Sequence, residues 1–441
     1  MTLVIILLAV LALAGLISWG KVNAFLAFLL VTIPVGFALG LPPARLLAAM
    51  YQGLGDTLGS VVIIIVLGAM LGKLVAESGA AQQIAAVMIR AFGTNNIQWT
   101  LMAAGFIIGI PLFYNVGFVL VVPLIFSVVY KYKLPAVYVG LPMLAALSVM
   151  HGFLPPHPAP TALVAQFHAD LGRTFFYGLL VAVPAVVIAG PLYARTLRGI
   201  VSRPLAGFVA ESLPESALPG RINSFVSSLL PVLLLVGVAG LRAVLPAGGP
   251  LGPALAFLAE PAIILLVSVG VATGSLGLAR GKRMAGIMDA YGSAVKDIAL
   301  ILLIIGGAGA LKQVLVASGA STEIAAGLQG TGLPPLVLGW LIAAVIRVAL
   351  GSATIAGLTA AGMVLPTMAR SHADPNLMVL AIGAGSLLLS HFNDGGFWLY
   401  KEYFNLSVKD TLRSWTAMET IVSVVGLGGV LLLNWALPLL R

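Results

Sequence analysis

Cysteine is absent from the 441 residues, which excludes disulfides and thiolate metal sites and leaves the redox compartment unreadable. Charge is nearly as scarce. Only 8% of the residues are Asp, Glu, Lys or Arg, against a hydrophobic share of 60%, whereas a soluble domain carries about a quarter charged residues. So little charge cannot cover a water-facing surface. The chain also lacks a Walker loop, a dinucleotide fingerprint, zinc-ligand spacing and a nucleophile–base motif. Nucleotide hydrolysis, a cofactor, a metal centre and an enzymatic activity are therefore not expected. The formal net charge of +9 suggests nucleic acid at first sight. The basic residues are scattered at the ends of apolar stretches, however, as membrane topology requires, and no nucleic-acid partner is expected.

Long apolar runs are what the chain has in place of charge. Residues 2–19, 24–41, 58–72, 174–194, 223–240, 261–279, 297–311 and 420–438 approach or reach the roughly 20 residues that a spanning helix needs. The first run has no basic segment before it and leads directly into the second, so it reads as a retained helix and not a cleaved signal. The expected class is an all-α polytopic membrane protein.

The chain also matches itself. At a constant offset of 240 residues, Ser78-Gly79-Ala80 falls on Ser318-Gly319-Ala320, Ile84-Ala85-Ala86 on Ile324-Ala325-Ala326, and Gly117 on Gly357. His151 falls on His391 in a chain with 5 histidines, and Asp170 and Arg173 fall on Asp410 and Arg413. Duplication is the expectation, with one repeat over 1–195, a polar linker over 196–222 that holds Arg198, Arg203, Glu211, Glu215 and Arg221, and a second repeat over 223–441. Placing the linker in the cytoplasm also puts Lys131, Lys133 and Arg280-Gly281-Lys282-Arg283 there, leaves Arg347 near the midplane and sends the C-terminus to the periplasm. The repeat partners of Lys131 and Lys133 are Ser371 and Ala373, an asymmetry expected when the second repeat is inverted.

Two kinds of interruption recur in both halves. The first is a break inside an apolar stretch too long for one span and too short for two, at 111–117 and at 351–357. Its length fits a re-entrant hairpin, which is tolerated at membrane depth only against protein or a wet cavity. The tip of such a hairpin holds a helix N-terminus, whose free N–H groups favour an anion. Tyr114, Asn115 and Gly117 of the first tip and Ser352 and Thr354 of the second are candidate ligand contacts, or else caps and packing residues. The second interruption comes after apolar segments near 135–150 and 375–390. The prolines of 151–160 break the first, and Asn393-Asp394-Gly395-Gly396 breaks the second over 391–396. His151, His157, His391 and Asp394 all sit at these breaks, where an ionisable group is costly and points to substrate or proton duty. A fixed structural pair is the competing reading for His391 and Asp394. Glu419, inside an apolar helix, is a further candidate for proton coupling. Asp170/Arg173 and Asp410/Arg413 read as helix-start residues.

The strings HGFLPPHPAPTA (151–162), LSHFNDGGFWLYKEYFNLSVKDTLRSWTAMET (389–420) and GIPLFYNVGFVLVVPL (109–124) resemble the gluconate:proton symporter family, whose members carry gluconate, related sugar acids or D-serine. The resemblance implies proton-driven uptake of an aldonate-like anion across the bacterial inner membrane. It also implies a homodimer and an elevator-type movement of a transport part against a scaffold. The resemblance adds His151, His391, Asn393 and Asp394 to Asn115, Ser352 and Thr354 as the substrate site. The residues alone do not choose between gluconate, D-serine and another small carboxylate, nor between proton and sodium coupling. A sodium/proton antiporter or channel without an organic substrate is the reading from another class.

Overall fold

The computed structural model describes the chain except residues 1, 94–95, 110–113, 156, 203–212, 245–251, 321–322, 324–331, 371–372 and 438–441. Among the described residues all regular structure is helical. In chain order the helices are α1 (Thr2–Ser18), α2 (Ala24–Ala38), α3 (Pro43–Glu77), α4 (Ala80–Phe92), α5 (Ile97–Gly109), α6 (Tyr114–Tyr132), α7 (Ala136–Phe153), α8 (Pro158–Gln166), α9 (Leu171–Val187) and α10 (Arg221–Val244). They continue as α11 (Gly252–Leu258), α12 (Pro261–Ala272), α13 (Met284–Ala317), α14 (Pro335–Leu350), α15 (Ala353–Arg370), α16 (Pro375–Gly385), α17 (Gly395–Tyr403), α18 (Val408–Thr411) and α19 (Ala417–Ala436). A π turn, Leu412–Thr416, joins α18 to α19. Six of the helical spans are long and apolar enough to cross a membrane, and shorter apolar helices accompany them. The protein is a multi-pass helical membrane protein.

Burial separates lipid-facing spans from the core. The span Ala136–Phe153 is 94% buried, whereas the span Leu171–Leu197 is 44% buried and leaves an apolar face uncovered. An apolar helix that is apolar all round but enclosed by protein is a core element, so α7 is the post around which the others stand. α3 and α13, of 35 and 34 residues, are each about 50 Å long at 1.5 Å per residue, well beyond a hydrocarbon core of about 30 Å, and must tilt to fit. Where they cross, a Cβ on Gly53 would lie 2.3 Å from the Gly309 carbonyl oxygen, and one on Gly309 would lie 2.6 Å from the Gly53 carbonyl oxygen. Glycine at both positions is what lets the two backbones touch.

Element boundaries follow the 240-residue offset closely. α14, α15, α16 and α17 begin within about three residues of where α5, α6, α7 and α8 would fall after the shift. α3 and α13 end in the same way, with Ser78 and Ser318 as C-caps followed by Gly79 at φ 79 and Gly319 at φ 73. A residue at positive φ just past a helix end is best supplied by glycine.

Several expected boundaries move. α7 continues through His151 to Phe153, and α8 resumes at Pro158, so the first break spans 154–157 and not 151–160. Pro158 and Pro160 fall in the first turn of α8, where an N–H has no intrahelical partner and its loss costs nothing. The second break runs over 386–394, because α16 stops at Gly385 and Gly395-Gly396 open α17. The second hairpin tip narrows to Gly351 and Ser352, and Thr354 and Gly357 lie in α15. In the first half, Tyr114 and Gly117 are already within α6, while 110–113 and the Asn115 side chain lie outside the described residues, as do 203–212 of the linker. Arg221, read as linker, opens α10. Asp170 caps α9, accepting from the Arg173 N–H at 2.7 Å; the matching role in the second half passes from Asp410 to Ser407, which caps α18 and receives the Asp410 N–H at 3.0 Å.

Candidate functional site

The second hairpin tip supplies the first wall of a cavity. α14 ends at Gly351 with φ 71, and a Cβ there would lie 2.1 Å from the Asn393 carbonyl oxygen. The tip is therefore pressed against the break between α16 and α17. Asn393 holds it there: its Nδ2 donates to the carbonyls of Val348 at 2.8 Å and Ala349 at 3.0 Å. The His391 Nε2 lies 3.1 Å from the same Val348 oxygen. In the first half His157 Nε2 is 2.8 Å from the carbonyl of Gly109, the last residue of α5. The last carbonyls of a helix have no intrahelical donor. In each half, side chains from the broken segment fill that need at the end of the hairpin's first helix.

The cavity, of about 710 Å³, lies where α3, α6, α7, α12, α13, α14, α15, the second break, the π turn and α19 converge. Tyr114, His151, Ser352, Thr354, Asn393, Asp394 and Glu419 of the sequence-derived candidates all line it. His157, His391 and Gly117 are not among its lining residues; the two histidines serve as the staples just described, and Gly117 is buried within α6. The cavity also takes in residues that the sequence reading did not select: Arg347 from α14, Ser148 from α7, Asp56 and Thr57 from α3, Lys312 from α13 and Trp415 from the π turn.

Arg347 is 4% exposed and its Nη2 donates to Asp394 Oδ2 at 2.5 Å. Asp394 is held at both oxygens. Its Oδ1 accepts the Gly396 N–H at 3.0 Å as the N-cap of α17, and its Oδ2 also accepts from the Ser390 hydroxyl. Ser390 Oγ in turn accepts from Trp415 Nε1 at 2.8 Å, and its carbonyl accepts from the Thr416 hydroxyl at 2.5 Å. The break, the hairpin helix α14 and the π turn are thus tied by one polar chain. A buried ion pair in membrane survives only with such supporting bonds.

Not every polar atom here is satisfied within the protein. Tyr114 Oη, His151 Nδ1, Arg347 Nε and Nη1, Asn393 Oδ1 and Glu419 Oε2 are buried and have no hydrogen-bond partner among the described residues. All five residues line the same cavity. Buried polar groups elsewhere in proteins are overwhelmingly paired, and each exception needs an explanation. The mixture is chemically specific: a guanidinium with two free donor nitrogens, a phenol, an imidazole, an amide oxygen and a carboxyl oxygen. It suits a molecule with one carboxylate and several hydroxyls. Ser352 and Thr354, at the start of α15, add hydroxyls beside a helix N-terminus, and the Ser352 Oγ already accepts weakly from the Ile355 N–H at 3.4 Å. Asp56 and Glu260, both exposed, stand at the mouth, and Lys312 approaches the Thr57 hydroxyl at 3.5 Å. No group of three or more His, Cys, Asp or Glu able to hold a metal ion occurs among the described residues.

Comparison with known proteins gives a consistent set of relatives. The profile of the GntP family permeases matches residues 1–436. The chain is 46% identical over 436 residues to a high-affinity gluconate transporter of Escherichia coli K12, covering 98% of this chain and 99% of the relative. It is 45% identical to the Gnt-II system L-idonate transporter of the same organism, again covering 98% of this chain and 99% of the relative. It is 43% identical to a gluconate permease of Bacillus subtilis 168, with the same coverages of 98% and 99%.

Proposed function

The chain belongs to the GntP family of permeases, and on that premise we propose that it imports gluconate or a closely related sugar acid by secondary transport coupled to protons. It is a transporter and not an enzyme. The observation that carries the substrate class is the collection of unpartnered polar atoms around one cavity, with Arg347 as its buried cation. In this reading the substrate carboxylate accepts from the free Nη1 donor of Arg347, and the Nε–H, which points to the other side of the guanidinium, is left for a substrate hydroxyl. Ser352 and Thr354, with the N–H groups at the start of α15, complete the anion site. Tyr114, His151 and Asn393 face the polyol. A cavity of this size is in the range that suits a small metabolite.

Asp394 fixes the guanidinium so that its open edge is presented in advance of binding, which lowers the ordering cost of recognition. D-serine or another small carboxylate is the alternative substrate, with Asp394 then available to an ammonium. The L-idonate and gluconate carriers among the relatives favour the sugar acids. A channel or a sodium/proton antiporter accounts less well for so many neutral hydrogen-bonding groups in the cavity.

The matching element boundaries support two repeats of opposite orientation, 1–195 and 223–441, joined by a cytoplasmic linker over 196–222, in the cytoplasmic membrane with the C-terminus on the far side. With that orientation the mouth beside Glu260 opens outward. Homodimerisation and an elevator movement rest on the family resemblance. The test is a panel of radiolabelled gluconate, idonate, hexuronates and D-serine on the purified protein in liposomes with an inward pH gradient. Saturable accumulation of a sugar acid that collapses with a protonophore supports the proposal. Accumulation that needs sodium and ignores the protonophore, or none for any organic anion, overturns it.

A further inference from the structure

The cavity holds two buried carboxyl groups of opposite character, and the difference separates substrate anchoring from proton carriage. Asp394 engages a cation, a backbone N–H and a hydroxyl through its two oxygens. Glu419, in the first turn of α19, is 2% exposed. Among the described residues its hydrogen-bonding neighbour is the Ser148 hydroxyl, its Oε2 has no partner, and no salt bridge reaches it. A carboxylate taken out of water without a cation is costly, and taking up a proton removes that cost.

We propose that Glu419 carries the co-transported proton while Asp394 serves as the holder of Arg347. This rests on the reading of the chain as a proton-coupled carrier of an organic anion. The charged and titratable groups acting on Glu419 are Arg347 from α14, Asp394 from the break and Tyr114 from α6. His151 stands one turn beyond Ser148 on α7 and lines the same cavity. α16, packed beside α19, brings no titratable side chain, and Arg173 of α9 is exposed.

The coupling follows from the charge balance. In the empty site the positive charge of Arg347 is balanced by Asp394, and Glu419, with no cation of its own, takes a proton from water in the open mouth onto Oε2, forming the O–H bond. A substrate carboxylate that docks on Arg347 then adds one negative charge to an enclosure in which Glu419 is already neutral. With Glu419 ionised the incoming anion would meet a second uncompensated carboxylate. After the site turns to the other face, the anion leaves and the same O–H bond gives its proton to water there. Because binding free energies are reciprocal, whatever the anion adds to the proton's affinity the proton adds to the anion's.

The experiment uses the full-length protein in liposomes, with gluconate as the probe, and compares wild type, Glu419→Gln, Glu419→Asp and Ser148→Ala. Two assays are run: accumulation driven by an inward pH gradient, and exchange of labelled for unlabelled gluconate with no gradient. The expected result for Glu419→Gln is a loss of gradient-driven accumulation of about tenfold or more, while the exchange that remains no longer varies with pH. Glu419→Asp restores part of the accumulation. Ser148→Ala, which removes a donor to the ionised form, moves the pH profile of uptake toward alkaline values. Glu419→Gln that still accumulates gluconate against the gradient overturns the inference. If that variant is inactive in both assays, an unshifted pH profile for Ser148→Ala overturns it instead, and a shifted one supports it. A wild type whose gluconate uptake ignores the pH gradient overturns the underlying reading.

Discussion

Arg347 and Ser352 separate the two kinds of contact that a sugar acid needs. The guanidinium offers two free donors in one plane, which an ammonium cannot reproduce. Arg347→Lys is expected to weaken gluconate binding by about one to two orders of magnitude, read as the KM of uptake or by a thermal-shift titration, with membrane expression unchanged. Arg347→Ala additionally strands Asp394 without its cation and is expected to destabilise the protein by about 3–5 kcal/mol. Ser352→Ala and Thr354→Val each remove a neutral hydrogen bond, worth about 1 kcal/mol, so each is expected to raise KM by roughly fivefold and the pair by more. A double variant with the wild-type KM places the substrate elsewhere. At this scale the sequence was partly legible. Asp394, Asn393 and Ser352 declared themselves because polar residues at a break stand out from an apolar background. Arg347 was noticed only as a basic residue near the midplane. Its partner is 47 positions away, and no local pattern connects a helix interior with a distant break. The usable signal was its isolation, since a lone arginine within an apolar stretch marks function by default.

At the scale of elements, the hairpin and the break act as one unit. Gly351 is needed twice over, for its positive φ and for its approach to the Asn393 carbonyl oxygen. Gly351→Ala is expected to push the tip off the break and to abolish transport while the rest of the helices still assemble. A variant with wild-type uptake would show that the tip does not depend on this contact. Gly309→Val, at the crossing of α3 and α13 on the cavity wall, is expected to separate the two helices and to lower the yield of folded protein, seen as a lower melting temperature of the purified carrier. The existence of both breaks was readable from proline and glycine chemistry. Their limits were not. Prolines 158 and 160 lie harmlessly in the first turn of α8, and on the other side the helix gives way at Gly385, before any strong breaker in the sequence. Helix ends there are set by which carbonyls find a donor in a neighbouring element, as Asn393, His391 and His157 show, and that information is tertiary.

For the whole molecule, the absence of cysteine is an experimental advantage. Single cysteines can be introduced without background labelling. Cysteine at Glu215 of the linker is expected to react with an impermeant maleimide only in inverted vesicles, and cysteine at Glu260 only in intact cells, as the proposed orientation requires; the opposite pattern reverses the topology. The match of the chain to itself was legible because rare residues, His151 with His391 above all, recur at one offset. What could not be read was how the two halves place their parts around a common point, with the second half supplying most of the cavity wall and the first half contributing Asp56, Thr57, Ile64, Tyr114, Ser148 and His151.

The central claim is that the carboxylate of a sugar acid replaces the partners that Arg347 lacks. It is tested most directly by the structure of the protein with gluconate bound. The account predicts the carboxylate within hydrogen-bond distance of Arg347 Nη1, with Ser352 beside it and the Arg347–Asp394 pair intact. Gluconate seated away from Arg347, with its carboxylate held by other groups, would contradict it.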